Sequence, residues 1–191
     1  MSNSLPIIIG ITGATGAIYA IALLKALKQL DYRTILIVSE MGFYTIKDEL
    51  NMTPKQVIAL ADEYYSNSNL GAPIASGSFL TLGMIVAPCS VKSLSGIAHA
   101  YDDTLITRAA DVVLKERRRL VLLLRETPFN LIHINLMKQA TESGAIIMPP
   151  VPAFYNKPNS IADIVSHTVA RCLDLFAIEN DLTLRWNPKK V

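Results

Sequence analysis

Charge is scarce and nearly balanced in this 191-residue chain: Asp, Glu, Lys and Arg make up 18% of it, and the net charge is +2. Composition therefore gives no basic face of the kind that nucleic acid or an anionic membrane requires. There are only two cysteines, Cys89 and Cys172, and neither has CxxC or CxxH spacing. That speaks against a disulfide framework and for a reduced, cytoplasmic protein. The apolar runs are short and interrupted, so no transmembrane helix is expected. Four small or polar residues lead directly into a strand pattern, so no cleavable leader is expected either. The histidines, His99, His133 and His167, stand apart from one another. None has metal-ligand spacing, and packing or surface roles suit them better. A single Trp, Trp186, falls in the terminal stretch 181–191, which reads as a tail with Trp186 as a packing anchor.

Apolar residues, in contrast, make up 51% of the chain. That exceeds what a small monomer needs and points to surface buried between subunits. Strand and helix patterns alternate. Ile7 to Ile11 reads as a strand buried on both faces, followed by a helix over Ile18–Leu30. A strand over Arg33–Ser39 and a short helix over 42–49 come next. Thr53 as N-cap and Pro54 at the first helical position predict a helix to about Tyr65. Residues 66–78 read as loop. Strands are expected at 84–88, 120–124 and 145–148, and helices from about 90, over 102–118, over 130–142 and over 160–177. This alternation predicts a single α/β domain with a three-layer, mostly parallel sheet of the Rossmann-like or flavodoxin-like kind.

In such sheets ligands bind beyond the carboxyl ends of the strands. Four of these ends carry small or polar groups: Thr12 to Gly16, Ser39, Ser90 to Ser93, and Arg125-Glu126. The first is a Gly13-Ala14-Thr15-Gly16 turn opening a helix, where backbone N–H groups face negative charge. It has neither the P-loop lysine nor the G-x-G-x-x-G spacing. It therefore reads either as a general phosphate cradle or as a tight turn made for packing. Cys89 follows a strand and reads as a buried thiol, without a base to make it a nucleophile.

The helix expected over 102–118 has Ile106, Ala109, Ala110, Val113 and Leu114 at core spacing. Arg108 and Lys115, seven residues apart, share the opposite face. Two readings stay open: a solvated face with Asp111 pairing both cations, or a cluster that completes an anion site on a neighbouring subunit. Arg117, Arg118 and Arg119 would close the helix at its negative pole.

Several segments together resemble the UbiX-type flavin prenyltransferases, flavoproteins once labelled aromatic-acid decarboxylases. They are Gly13-Ala14-Thr15-Gly16-Ala17, Pro88-Cys89-Ser90, Arg108-Ala109-Ala110-Asp111, Leu114-Lys115-Glu116-Arg117-Arg118, Arg125-Glu126-Thr127-Pro128 and Pro152-Ala153-Phe154-Tyr155. The resemblance runs from about residue 6 to Trp186. It implies a homo-oligomer with sites shared between subunits. It also implies an activity: the dimethylallyl group of dimethylallyl monophosphate is joined to N5 and C6 of reduced FMN, without a metal. The prenylated FMN would serve a UbiD-type decarboxylase. By position, Gly13, Ala14, Thr15, Ser39, Ser90, Val91, Lys92, Ser93 and Arg125 would hold FMN. Arg108, Lys115, Tyr155 and Arg171 would grip the prenyl phosphate. Glu49, Glu126 and Thr15 would be catalytic. Thr15 stands where many members have Ser, and Asn69-Leu70 where some have Trp. The rival readings are an FMN-dependent oxidative decarboxylase of peptidyl cysteine and a non-catalytic flavin carrier.

Overall fold

Strand β1 (Ile7–Ile11) is buried along its whole length, as a β-branched run between two helical layers should be. It belongs to a computed structural model in which residues 5–185 are described; Trp186 and the rest of the expected tail beyond 185 lie outside the described residues. From β1 the chain passes through α1 (Ala17–Gln29), β2 (Thr34–Val38), α2 (Glu40–Leu50), α3 (Pro54–Ile58) and β3 (Glu63–Ser66). A single 3-10 turn (Pro73–Ala75) precedes β4 (Gly83–Cys89), α4 (Val91–Ala98), α5 (Leu105–Lys115) and β5 (Arg119–Leu124). The chain then continues through α6 (Leu131–Glu142), β6 (Ile146–Ile147) and α7 (Ile161–Leu175).

The sheet runs β3-β2-β1-β4-β5-β6, and every neighbouring pair is parallel. This is the Rossmann order, and the direction of winding reverses between β1 and β4. Side-chain alternation along the strands divides the core in two. Ile7, Ile9 and Ile11 pack with Leu23, Leu24 and Leu27 of α1 and with Val169 and Leu173 of α7. Ile8, Ile35 and Ile37 pack on the other face with Leu94 of α4, Ile106 and Val113 of α5, and Leu136 of α6.

Three expectations need correction. First, the helix begun by Thr53 and Pro54 stops at Ile58, well short of Tyr65. Its capping box forms as expected, but residues 63–66 instead pair with β2, Ile35 opposite Glu63 through Val38 opposite Ser66. Long-range bonds decide this. The Asp62 carboxylate accepts the Thr34 N–H at 2.7 Å and the Thr34 hydroxyl at 3.1 Å, and Arg33 pairs with Glu63. Second, the helix over 102–118 is trimmed to α5, because Thr104 caps it and Arg117 leaves it at φ 56°. Arg117 to Arg119 therefore do not form its last turn; Arg119 opens β5 and lies 6.0 Å from the centre of the Phe176 ring. Third, the strand over 145–148 reduces to Ile146 and Ile147.

Candidate active site

Strands β1, β2 and β4 end side by side at the winding reversal, and each end is finished by a hydroxyl. Thr12 is 1% exposed; its Oγ1 donates to the Pro88 carbonyl at 2.7 Å and accepts the Ser90 N–H at 2.8 Å. One hydroxyl thus ties the end of β1 to the end of β4. Ser39 caps α2 by accepting the Gly42 N–H at 3.0 Å. Ser90 caps α4 by accepting the Ser93 N–H at 3.3 Å, and donates to the Ser93 hydroxyl at 3.2 Å. Gly13 is needed for close approach: a Cβ there would lie 2.4 Å from the Met41 Cβ. Gly16 is needed for conformation, since its φ of 97° is left-handed.

The start of α1 faces an anion, as its backbone dictates, but the anion belongs to the chain. Glu49, in the last turn of α2, accepts the Gly16 N–H on both carboxylate oxygens at 3.0 Å and the Ala17 N–H at 2.9 Å. A phosphate cradle built on these two groups is therefore not open in this chain: the helix dipole is already complemented by a carboxylate.

Beside this turn lies a cleft of about 860 Å³. Thr12, Gly13, Ser39, Ser90, Lys92 and Ser93 line it, as the rim reading expects. Met41, Asn67, His99, Tyr101, Asp103 and Thr104 also line it, and sequence reasoning gives no role in a site to any of these. They come from loops and helix ends with no periodic signal; Asn67, for example, is fixed by accepting the Ile106 N–H at 3.1 Å. Ala14, Thr15 and Val91 adjoin the cleft in sequence without lining it, and Thr15 is exposed. The size lies within the range of small-molecule pockets, roughly 300–1,000 Å³. The cleft's walls bring together hydroxyls, the Asn67 amide, the His99 ring and the Lys92 ammonium with the carboxylates of Glu40 and Asp103, a mixed set of donors and acceptors.

Arg125 and Glu126 stand just past β5 and do not line the cleft. The Arg125 N–H donates to the Cys89 carbonyl at 3.0 Å and its side chain is exposed; Glu126 accepts the Thr127 N–H at 3.0 Å.

The cations expected at the prenyl phosphate fall into two groups. On the outer side of α5, Arg108 Nη1 pairs with Asp102 at 3.1 Å and Asp111 at 3.2 Å, and Nε donates to the Ala75 carbonyl at 3.2 Å. Lys115 pairs with Glu116, whose carboxyl this bond holds below its usual range. Asp111 therefore serves Arg108 alone and does not bridge both cations. Burial pushes the Asp102 carboxyl up despite Arg108, and its Oδ1 is buried without a hydrogen-bond partner. Arg118 holds the loop above α5, donating to the Phe79 carbonyl at 2.7 Å and the Gly77 carbonyl at 2.8 Å.

The second group sits by α7. The Tyr155 hydroxyl lies 2.8 Å from His167 Nε2, and Arg171 donates to Asp174 at 2.7 Å. A hollow of about 320 Å³ opens there, lined by Ile147, Met148, Val151, His167 and Arg171 among others. Neither group of cations lines the larger cleft.

Cys89 is fully buried, and burial pushes its thiol up to about 12, so the reading of an inert thiol holds. His99 lines the cleft with Nδ1 2.9 Å from the Ser95 carbonyl. Among the described residues no helix is long and apolar enough to cross a membrane.

Sheet order and rim cleft define a doubly wound α/β protein with a cleft of small-molecule size at the reversal point. Residues 1–173 match the model of the Flavoprotein family. Flavin prenyltransferase UbiX of Escherichia coli is 53% identical over 183 residues, covering 94% of this chain and 97% of that one. The crystal structure of AnUbiX (PadA1) in complex with FMN and dimethylallyl pyrophosphate matches with a TM-score of 0.95 at 48% identity, over 97% of this chain and 98% of that one. A dodecameric FMN-dependent UbiX-like decarboxylase from Escherichia coli matches with a TM-score of 0.93 at 47% identity, over 96% and 100% of the two chains. The chain belongs to the flavoprotein family and, within it, to the UbiX flavin prenyltransferases.

Proposed function

We infer that this protein is a flavin prenyltransferase. It joins the dimethylallyl group of dimethylallyl monophosphate to N5 and C6 of reduced FMN and releases the phosphate. The observation that carries this is the near full-length match to a solved relative holding both FMN and dimethylallyl pyrophosphate. The oxidative peptidyl-cysteine decarboxylase reading is not favoured, because relatives sharing about half the residues are flavin prenyltransferases.

We assign FMN to the cleft at the reversal point, with Gly13, Ala14, Thr15, Ser39, Ser90, Val91, Lys92 and Ser93 around it and Arg125, just past the end of β5, as a further contact. Reduced FMN supplies the electron-rich N5 and C6 positions. The chain supplies charge and shelter. Arg108, Lys115, Tyr155 and Arg171 stabilise the negative charge that builds on the departing phosphate. Among the described residues Arg108 keeps a second terminal nitrogen for this, since its hydrogen bonds there are made by Nε and Nη1. Glu126 is assigned to the phosphate as its acid–base group. Glu49 fixes the start of α1, where Thr15 presents its hydroxyl. Ile147, Met148 and Val151, on one wall of the smaller hollow, give the allyl group apolar contact.

The two groups of cations meet only if one subunit lends its α5 face to another. Supporting this, large apolar side chains stand exposed: Leu131 70%, Ile132 67%, Val151 71%, Phe154 69% and Ile161 73%. Such surface suits contact with further copies of the chain in a homo-oligomer. The cytoplasm, with its reduced flavin and thiols, is the setting we assign, and a UbiD-type decarboxylase is the consumer of the product.

The test is an anaerobic incubation of protein, reduced FMN and dimethylallyl monophosphate, with and without a chelator, followed by mass spectrometry of the released flavin. A flavin heavier by one C5 unit is expected in both arms. Unchanged flavin mass refutes the assignment. A parallel arm with the diphosphate ranks the two donors.

A further inference from the structure

We propose that Arg185 is a positioning residue for the prenyl phosphate: it occupies the Asp174 carboxylate and so leaves the Arg171 guanidinium free for the substrate. This rests on the prenyltransferase reading and on Arg171 as a phosphate ligand. Asp174 follows Arg171 by three residues on α7, and its side chain is 16% exposed. α7 ends at Leu175, Ala177 turns at a φ of 55°, and the segment that follows brings Arg185 to the same carboxylate. Arg185 grips it with two prongs: Nη2 donates to Oδ1 at 2.8 Å and Nη1 to Oδ2 at 3.0 Å. The Asn180 amide adds a donor to Oδ1 at 3.3 Å. Arg171 makes one bond, from Nη1 to Oδ2 at 2.7 Å.

The way these bonds are divided carries the inference. A guanidinium matches a carboxylate best when two of its nitrogens meet both oxygens. Arg185 occupies that position on Asp174. Among the described residues the hydrogen bonds of Arg171 are made by Nη1 alone, so Nε and Nη2 remain for an anion. Arg171 lines the hollow beside Met148 and Val151, whereas neither Asp174 nor Arg185 does. Without Arg185, Oδ1 loses its two-pronged partner. Arg171, a neighbour of Asp174 on the helix surface, can then turn to take both oxygens itself. Its charge would be matched inside the chain and withdrawn from the hollow. Two guanidiniums and one carboxylate leave one positive charge in the cluster, and the bond pattern leaves it with Arg171. A lysine at 185 could not do the same, because an ammonium is a point charge without the planar fork that spans both oxygens.

The experiment measures the KM for dimethylallyl monophosphate, the turnover and the Kd for FMN in the wild type, R185Q, D174N, R171Q and the double variants R185Q/D174N and R171Q/R185Q. R185Q should raise KM about fivefold, the upper range for one exposed ion pair, with FMN affinity unchanged. R185Q/D174N should return KM to within about twofold of the wild type, because a neutral side chain at 174 no longer draws Arg171 away. A strap that only holds the fold predicts the opposite order, since D174N removes a further ion pair. R171Q/R185Q should be no worse than R171Q, because Arg185 acts through Arg171. Unchanged KM in R185Q or no recovery in R185Q/D174N would overturn the proposal. So would losses that multiply in R171Q/R185Q, which would show Arg185 acting as a distant charge alone. If R171Q behaves as the wild type, Arg171 is no phosphate ligand and the proposal falls while the prenyltransferase reading stands. If the wild type leaves flavin unalkylated, both fall.

Discussion

Glu49 accepts the Gly16 N–H on both of its carboxylate oxygens at 3.0 Å, so a side chain from the end of α2 closes the start of α1. The first turn is therefore held from two sides, by a left-handed glycine and by an internal anion. Glu49→Ala should remove a capping interaction worth about 1 kcal/mol, lowering Tm by roughly 2–4 °C for a chain of this size. It should also make Tm rise with added inorganic phosphate, because the vacated N–H groups then accept an external anion. Calorimetry with and without phosphate checks both effects. Gly16→Ala should lower Tm without any gain in phosphate response, since it strains φ by about 1–2 kcal/mol and leaves Glu49 in place.

Thr12 offers a second test. Thr12→Val keeps the shape but strands the Ser90 N–H, at a cost of about 1–3 kcal/mol. FMN affinity should fall with stability, because Ser90 and Ser93 lose the anchor that holds them at the rim. Thr12→Ser retains the hydroxyl and should bind FMN nearly as wild type. Titration of flavin fluorescence distinguishes the two variants.

The acid limb of stability should depend on Asp174. Hydrogen bonds from Arg185 at 2.8 and 3.0 Å, then from Arg171 at 2.7 Å, hold its carboxyl below the ordinary value of 3.8 despite burial. A carboxyl depressed in the folded state contributes stability above its unfolded value and loses it as pH falls toward the folded one. Asp174→Asn should therefore destabilise at neutral pH, and its difference from wild type should shrink below pH 3.8. Urea midpoints measured across that range decide it.

Both thiols should be silent in the native protein. Cys89 is 0% and Cys172 1% exposed, and burial pushes each to about 12. Ellman's reagent should titrate essentially no thiol in buffer and both in denaturant. Fast reaction of either in buffer would show that its half of the core opens.

Gly77 should control Lys115. A Cβ at Gly77 would lie 2.7 Å from the Lys115 ammonium and 2.1 Å from a Glu116 carboxylate oxygen. Gly77→Ala must move that pair or the loop pinned by Arg118, so KM for dimethylallyl monophosphate should rise several-fold, on the order of 1 kcal/mol, with FMN affinity kept. Steady-state kinetics against both substrates gives the split.

Much of the framework was legible because it is local. The Ile7–Ile11 run, the Thr53-Pro54 helix start and the small residues at Gly13 and Gly16 each announce their geometry within a few positions of the chain. Failures came where a distant bond outweighed a local preference. Residues 63–66 pair with β2 because Asp62 reaches Thr34 and Glu63 meets Arg33, contacts that no window of ten residues contains. Seven-residue spacing puts Arg108 and Lys115 on one face, where the solvated reading has Asp111 pairing both, but Asp111 meets Arg108 and Glu116 holds the lysine.

The amino-acid sequence by itself determined the alternation of strand and helix, the hydroxyls and glycines at strand ends, and the family, since each of these is written in residue type and order. Tertiary structure alone decided that the anion at the start of α1 is Glu49, that Thr12 knits β1 to β4, and that His167 stands behind Tyr155. The reason is physical: partners 33 and 78 residues apart are brought together only by the winding of the sheet, Tyr155 meets His167 only where the loop before α7 folds back on that helix, and hydrogen bonds between such partners carry no periodic trace in the chain.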